Sequence, residues 1–253
     1  MTAMEDKQCE GVDESSLQRF FAGIARLEAT GVESGRLEQK DLETFLAEIG
    51  VHIARAEEEQ RELNRTEATS FNVFDFIEPD ENRLSDVLAF LLDPKGAHGQ
   101  GDVFLRLLLQ QAGSGLDTRS VAGARVQREA PTHGIMKYRR RMDILVDGGV
   151  LLAIENKVGS AEQQDQVKDY LEHLARCAGG RRKPYLLIYL TPDGRPPESL
   201  SAAQLAATQE AGHLRRWSYQ RELRGWLELC RERCAAPKIR HFLTDFILFI
   251  ESE

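Results

Sequence analysis

Cysteine is scarce in this chain and poorly spaced for any structural bond. Its four thiols, Cys9, Cys177, Cys230 and Cys234, form no CxxC pair and no zinc-ligand spacing, which excludes a disulfide framework and a zinc ribbon. Cys230 and Cys234 stand one helical turn apart and read as packing. No apolar run approaches the ~18–20 residues of a membrane span, and residues 1–10 are polar, so neither a span nor a signal peptide is expected. Reduced thiols in a cytoplasmic protein are the expectation. Repeats, low-complexity tracts and helicase or ATP-binding motifs are missing, so any motor acting with this protein is a separate chain.

An excess of positive charge is also missing. The 253 residues carry a formal net charge of −8, which argues mildly against a polyanionic partner. The distribution weakens that argument: residues 1–100 carry −12 and residues 101–253 carry +4. Basic residues cluster at Lys137, Arg139, Arg140 and Arg141, at Arg181, Arg182 and Lys183, and at Arg215 and Arg216. A nucleic-acid partner is therefore compatible with the acidic total. The clusters also fit a plainer reading, a solvated charged strand edge.

What is present reads as a helical extension, 1–70, followed by a mixed domain, 71–253. Leu17, Phe20, Phe21, Ile24 and Leu27 recur at helical spacing over 16–30, and Leu42, Phe45, Leu46 and Ile49 open a second helix over 39–64 whose later part is charged. This acidic extension is a candidate surface for a protein partner. A third helix, in "ENRLSDVLAFLLD", stops at Pro94; the loop "PKGAHGQG" and a fourth helix, "DVFLRLLLQQA", follow. From residue 124 the period changes. "ARVQREA", "RRRMDILVD" and "VLLAIENK" read as strands, "AEQQDQVKDYLEHLARCA" as a helix, and "PYLLIYLT" as a fourth strand. Helices near 198–209, 219–234 and 238–251 close the chain. The fold class expected is α/β, an αβββαβ core around a mixed sheet covered on both faces.

The stretch "MDILVDGGVLLAIENK" carries the chemistry. If Asp147, Gly148 and Gly149 form a three-residue loop, Val146 faces Val150 and Asp143 faces Ala153. Asp143, Glu155 and Lys157 then share one face, with Glu155 diagonal to Asp143. A two-residue loop puts Asp143 on the opposite face. Two carboxylates at the end of an apolar sheet repel each other unless a cation joins them. Oxygen ligands of this kind suit Mg²⁺ or Mn²⁺, and Lys157 is placed to act on a water or a phosphate. The plainer reading of Glu155 and Lys157 is a salt-bridged strand end. In the next helix Gln166 and Tyr170 stand four apart, three residues after Gln163. They read either as a surface polar group and a half-buried aromatic or, beside the acidic pair, as phosphate donors and a nucleotide surface.

In order and spacing these residues resemble the PD-(D/E)XK nuclease superfamily: Asp143, then Glu155-Asn156-Lys157, then Gln166-x-x-x-Tyr170, an element similar to that of the RecB-type branch. The upstream "ENRLSDVLAFLLDPKGAHGQGDVFLRLLL" resembles a bacterial family of the superfamily, in which a Glu-x-x-x-Ser helix and a His-Gly loop precede the core. The resemblance covers about residues 70–195. The motif's proline is missing here, since Met142 precedes Asp143.

The resemblance implies a restriction-endonuclease-like core with Asp143 on the second strand and Glu155 and Lys157 on the third. It implies metal binding by Asp143, Glu155 and the Asn156 carbonyl, with Lys157 acting on the attacking water. Glu81 matches an accessory acidic position, although a carboxylate at a helix N-terminus has its own dipole rationale. His98 matches a loop histidine that contributes a metal or phosphate contact, although a loop histidine can simply be exposed. The implied function is Mg²⁺- or Mn²⁺-dependent hydrolysis of nucleic acid, DNA favoured, in bacterial defence or repair. Two alternatives stand beside it: a catalytically inactive binding or scaffold module, and a phosphohydrolase acting on a small nucleotide.

Overall fold

The computed structural model describes residues 39–113, 121–132 and 140–252; the helix expected at 16–30 and the residues His133, Lys137 and Arg139 lie outside them. The chain divides into two compact units, Met1–Ser70 and Phe71–Glu253. In the first, α1 (Gln39–Glu67) runs three residues past its expected end. Ion pairs one turn apart, such as Arg55–Glu59 at 2.9 Å and Arg61–Glu58 at 3.0 Å, support its charged half. The helix stops where Ala68 takes a left-handed φ of 51° and Asn64 accepts from the Ser70 amide.

The second unit opens with a five-residue helix, α2 (Val73–Ile77), too short to leave a periodic signal; the Asn72 side chain caps it by accepting from Phe74 N. Helix α3 (Glu81–Leu92) is capped by Asp80, which accepts from Arg83 N, and it ends just before Pro94. Helix α4 (Val103–Ala112) follows. Strands β1 (Arg125–Pro131), β2 (Arg141–Asp147) and β3 (Leu151–Asn156) form an antiparallel meander. Helix α5 (Gln166–Arg181) then crosses over to β4 (Tyr185–Thr191), which runs parallel to β3. Helix α6 (Ala202–Glu210) leads to β5 (Leu214–Ser218), parallel to β4. A π-turn (Tyr219–Leu223), α7 (Arg224–Arg233) and α8 (Pro237–Ser252) complete the unit. The sheet order is β1-β2-β3-β4-β5, a mixed sheet in a restriction-endonuclease-like α/β fold.

Alternation of side chains sorts the sheet into two apolar faces. Ile144, Val146, Leu152, Ile154, Ile188 and Trp217 pack with α3, α4, α7 and α8 through Leu88, Phe104, Trp226 and Phe246. On the other face Ala153, Leu187 and Tyr189 meet Val167, Tyr170 and Leu174 of α5. All six residues of β3 are buried, as a strand covered on both faces requires. Among the described residues no helix is long and apolar enough to cross a membrane.

Three sequence-based expectations are corrected. Strand β5 falls where none is expected, because its apolar residues Leu214 and Trp217 are three apart, as on a helix, and two arginines lie between them. Helix α5 starts five residues late, since Asp165 takes a left-handed φ of 58° that breaks the first turn. The β2–β3 loop is Gly148, Gly149 and Val150, with Asp147 paired to Leu151 and Ile144 to Ile154. Its length stays three, so the faces assort as expected. The loop lies one residue further along the chain, and the cross-strand pairing shifts by two: Ala153 pairs with Leu145 instead of Asp143. Continued by one residue, this pairing sets Asp143 directly opposite Glu155 rather than diagonal to it.

Phe74 is fully buried, with its ring 4.9 Å from Phe246, 5.4 Å from Phe242 and 5.5 Å from Phe249. It joins the first turn of this unit to its last helix. Phe74→Ala is expected to destabilise the fold by roughly 3–5 kcal/mol, measured as a lower urea midpoint at unchanged m-value.

Candidate active site

The β2–β3 ladder ends at Ile144 and Ile154, and side chains take over from backbone pairing. Asn156 N donates to Asp143 Oδ2 at 2.7 Å, so the carboxylate of one strand satisfies the amide of the other. Across from it Glu155 is 1% exposed. Its Oε1 receives the Lys157 ammonium at 2.9 Å and Gln166 Nε2 at 2.6 Å. Its Oε2 is buried with no hydrogen-bond partner. A buried carboxylate oxygen with no donor is costly.

Burial raises the pKa of Asp143 despite the Asn156 amide and Lys157. Burial, followed by the charge of Asp143, pushes Glu155 up to about 8 against the pull of Lys157. For Lys157, burial works against the charge, but Glu155, Glu81 and Asp143 together hold its pKa above the usual value. The centre is thus a cation and two carboxylates competing for too little positive charge. One divalent cation between the carboxylates would relieve both elevated groups and give Glu155 Oε2 a partner, so these residues fit the metal that the sequence suggests.

Asn156 is the junction of the site. Its side chain, fully buried, donates to Ser85 Oγ at 3.1 Å and to Glu81 O at 3.3 Å. Its Oδ1 accepts from Tyr219 OH at 2.7 Å. Ser85 in turn donates to Glu81 O at 2.9 Å. Arg128 of β1 donates to the Asp143 carbonyl and, at 3.0 Å, to Asn82 O, which ties α3 to β2. Tyr219 and Arg128 escaped the sequence reading: Tyr219 is 63 residues from Asn156 and Arg128 lies in an ordinary edge strand. Ser85 carried a signal, one turn after Glu81, without an indication of its partner.

Glu81 comes into the cluster, but its oxygens serve the chain that follows β3. They accept from Ser160 Oγ at 2.8 Å and Val158 N at 3.0 Å and stand 3.5 Å from Lys157 Nζ. Burial would raise its pKa, but the Ser160 hydroxyl, Lys157 and the backbone amides lower it. Glu81 therefore anchors Lys157 and the 157–160 turn. His98 is not brought to the site. It is 2% exposed, its Nδ1 accepts from Gln100 N at 3.0 Å and its Nε2 lies 2.8 Å from Asp93 O. Both ring nitrogens are used inside the loop, with Phe90 and Phe104 against the ring, so His98 has no lone pair to offer a metal or phosphate. Among the described residues no group of three His, Cys, Asp or Glu side chains is arranged to hold a metal ion.

Gln166 and Tyr170 are also corrected. They are 5% and 1% exposed and cannot stack on a nucleotide. Gln166 Oε1 accepts from Gln163 N at 3.0 Å while its amide nitrogen serves Glu155 and, at 3.0 Å, Tyr170 OH. Tyr170 OH donates to Arg141 O at 2.6 Å. Together they fix the rotamer of Glu155. Arg140, expected to face phosphates, is buried and clamps the start of α5 through Asp169 at 2.6 Å, Gln163 at 3.0 Å and the Gln164 carbonyl. Arg181 and Lys183 pair with Asp147, at the hairpin end of β2 away from Asp143. Arg141 has an exposed side chain paired to Glu129 at 2.7 Å, and Arg216 of β5 is exposed in the cross-strand row that runs from Glu155 through Tyr189.

A family model of the PD-(D/E)XK nuclease superfamily matches residues 71–247, nearly the whole second unit. The chain belongs to this superfamily, whose members are generally nucleases and typically use divalent metals. The match does not assign the chain to the RecB-type branch. Comparison with curated proteins and with solved structures returns no match.

Two predictions follow from the network. Between the ordinary glutamate value of 4.5 and about 8, native Glu155 keeps a proton that the unfolded chain has released. That contribution is complete below 4.5 and is lost as pH rises through about 8. Without metal, wild-type unfolding free energy should therefore fall across this window relative to Glu155→Gln; parallel profiles in urea titrations with chelator would refute the assignment. Tyr219→Phe leaves Asn156 Oδ1 buried without a donor and should cost about 1–3 kcal/mol, with a smaller loss when Asn156 is already alanine.

Proposed function

We propose that this protein is a divalent-metal-dependent nuclease that hydrolyses phosphodiester bonds, with Asp143 and Glu155 as the metal carboxylates and Lys157 as the group acting on the attacking water. The observation that carries the reading is the orphaned, buried Glu155 Oε2, on a carboxylate whose other oxygen is paired with Lys157 and whose strand position lies opposite Asp143. An inert sheet end would neutralise one carboxylate with one lysine; this one buries two and leaves an oxygen unbonded.

In this reading the Asn156 carbonyl completes the protein ligands, and Mg²⁺ or Mn²⁺ suits a set made only of oxygen. The bound cation supplies Lewis acidity toward the phosphate and lowers the pKa of a coordinated water. The chain's own residues do the placing. Gln166 and Tyr170 hold Glu155, the Asn156 amide and Arg128 hold Asp143, and Glu81 steadies Lys157, whose Nζ aligns the water and offsets charge on the phosphate. Arg141 can exchange its exposed partner, Glu129, for a flanking phosphate, since such surface pairs are weak. We take DNA as the first substrate and defence against foreign DNA, or repair, as the setting.

Asp143→Ala should lower Mg²⁺- or Mn²⁺-dependent cleavage by about a thousandfold or more, the scale of losing several kcal/mol of transition-state stabilisation, while circular dichroism and melting show an intact fold. Assays on duplex DNA, single-stranded DNA, RNA and free nucleotides set the substrate class. Cleavage by Asp143→Ala at the wild-type rate would end this assignment. Failure of the wild-type protein to bind either metal in calorimetry would favour an inactive binding module.

A further inference from the structure

Helix α1 (Gln39–Glu67) carries a seam that the nuclease reading does not use. Positions 42, 46, 49, 53, 56, 60 and 63 alternate in steps of four and three along its length, and six of the seven are apolar: Leu42, Leu46, Ile49, Ile53, Ala56 and Leu63. A 3.5-residue period held over three heptads is the pattern of a two-stranded coiled coil. Where its side chains are described, the seam is open: Leu46 is 56% exposed, Ile49 38%, Ile53 53% and Leu63 45%. A shallow hollow sits on it, lined by Ile53, Ala56, Glu57, Gln60 and Arg61. The first four of these residues are at i, i+3, i+4 and i+7, the four-residue hole that receives a partner's knob. Gln60, the polar member, turns its amide nitrogen to Thr69 Oγ1 at 2.9 Å.

We infer that α1 is a dimerisation helix and that its partner is α1 of a second copy, parallel and in register. Length is the first argument. The seam from Leu42 to Leu63 spans about 32 Å at 1.5 Å per residue. The apolar segment 16–30 of the same chain would reach only about 22 Å even as a complete helix, whereas a second α1 matches the seam end to end. Charge is the second argument. In a parallel pair the flanking positions oppose Phe45 to Gly50, His52 to Glu57 and Glu59 to Asn64, so no like charges meet. The arginines lie on the outer face and are already paired within the helix: Arg55 with Glu59, Arg61 with Glu58 and Arg65 with Glu62, each within 3.0 Å. The helix carries eight acidic and four basic residues, none of them at a seam position, so an identical apolar seam finds its complement without burying charge. The a positions hold Leu46, Ile53 and the polar Gln60 and the d positions Leu42, Ile49, Ala56 and Leu63, and a single polar a residue specifies register and oligomer state.

The test uses the full chain. Sedimentation equilibrium should give a mass of two 28.5 kDa chains, and Ile49→Asp combined with Ile53→Asp should give one. As a second measurement, Leu46→Cys should form an interchain disulfide on mild oxidation well beyond that of the wild-type protein with its own thiols, and Ala47→Cys, one position outward, should not. A monomeric wild-type protein, with the seam covered in cis, would overturn the proposal. So would a dimer indifferent to the aspartates, a different stoichiometry, or equal crosslinking at both cysteines. Metal-dependent cleavage is read separately on the same samples, so loss of the dimer and loss of the nuclease reading are told apart.

Discussion

Asp143 and Glu155 face each other where β2 and β3 part, and the mutual repulsion of two carboxylates in a partly dry site organises much of what surrounds them. Water would screen such a pair at the surface, but here Glu155 is fully buried and Asp143 largely so. The sequence answers with one lysine, one glutamine and a backbone amide. These reach Asp143 Oδ2 and Glu155 Oε1, the latter twice, and leave the buried Glu155 Oε2 without a donor. Burial raises both carboxylates, most of all Glu155. A site left short of positive charge in this way is prepared for a cation.

Holding such a pair requires a scaffold that does not yield. Strand β3 supplies it by being buried on both faces, with β2 and β4 bonded along its sides. The network centred on Asn156 then extends the rigidity beyond the ladder. Its main chain binds Asp143, and its side chain reaches Ser85 and the Glu81 carbonyl on α3 and receives Tyr219 from the π-turn after β5. One residue thus joins a strand end, an upstream helix and a downstream turn. Asn156 lies between the two residues of the Glu-Asn-Lys triplet that carry charge, so any slackness in it would reach both. Fully satisfied buried networks of this kind fix a single arrangement, and a missing member leaves a costly vacancy.

Much of this was legible before the fold was known. Asp143, Glu155 and Lys157 stood out because charge at the end of apolar strands needs a reason, and the odd loop length put them on one face. The Gln166 and Tyr170 spacing marked a helix face turned to the same place. The error lay in what that face does. Four-residue spacing reveals a shared direction but not whether it leads to solvent or to the core, and burial turned two supposed phosphate contacts into supports for Glu155. Arg140 went the same way, from surface cation to clamp on α5. His98 was drawn to the site by its Gly-rich loop, yet that loop closes on its own histidine.

The sequence by itself determined the alternation of β2 and β3, the parity of their hairpin and the identity of the charged triplet, because these follow from local periodicity. It also carries the seven-position seam of α1, for the same reason. Only the tertiary structure decided which polar groups meet: Tyr219 with Asn156, Arg128 with the Asp143 carbonyl, Glu81 with Ser160, and β5 with β4. These partners lie from 15 to 79 residues apart, and nothing in their own segments distinguishes them from ordinary surface or core residues. Their roles arise when the sheet closes, since a buried hydrogen-bonding group must take a partner from whatever the fold brings within about 3 Å.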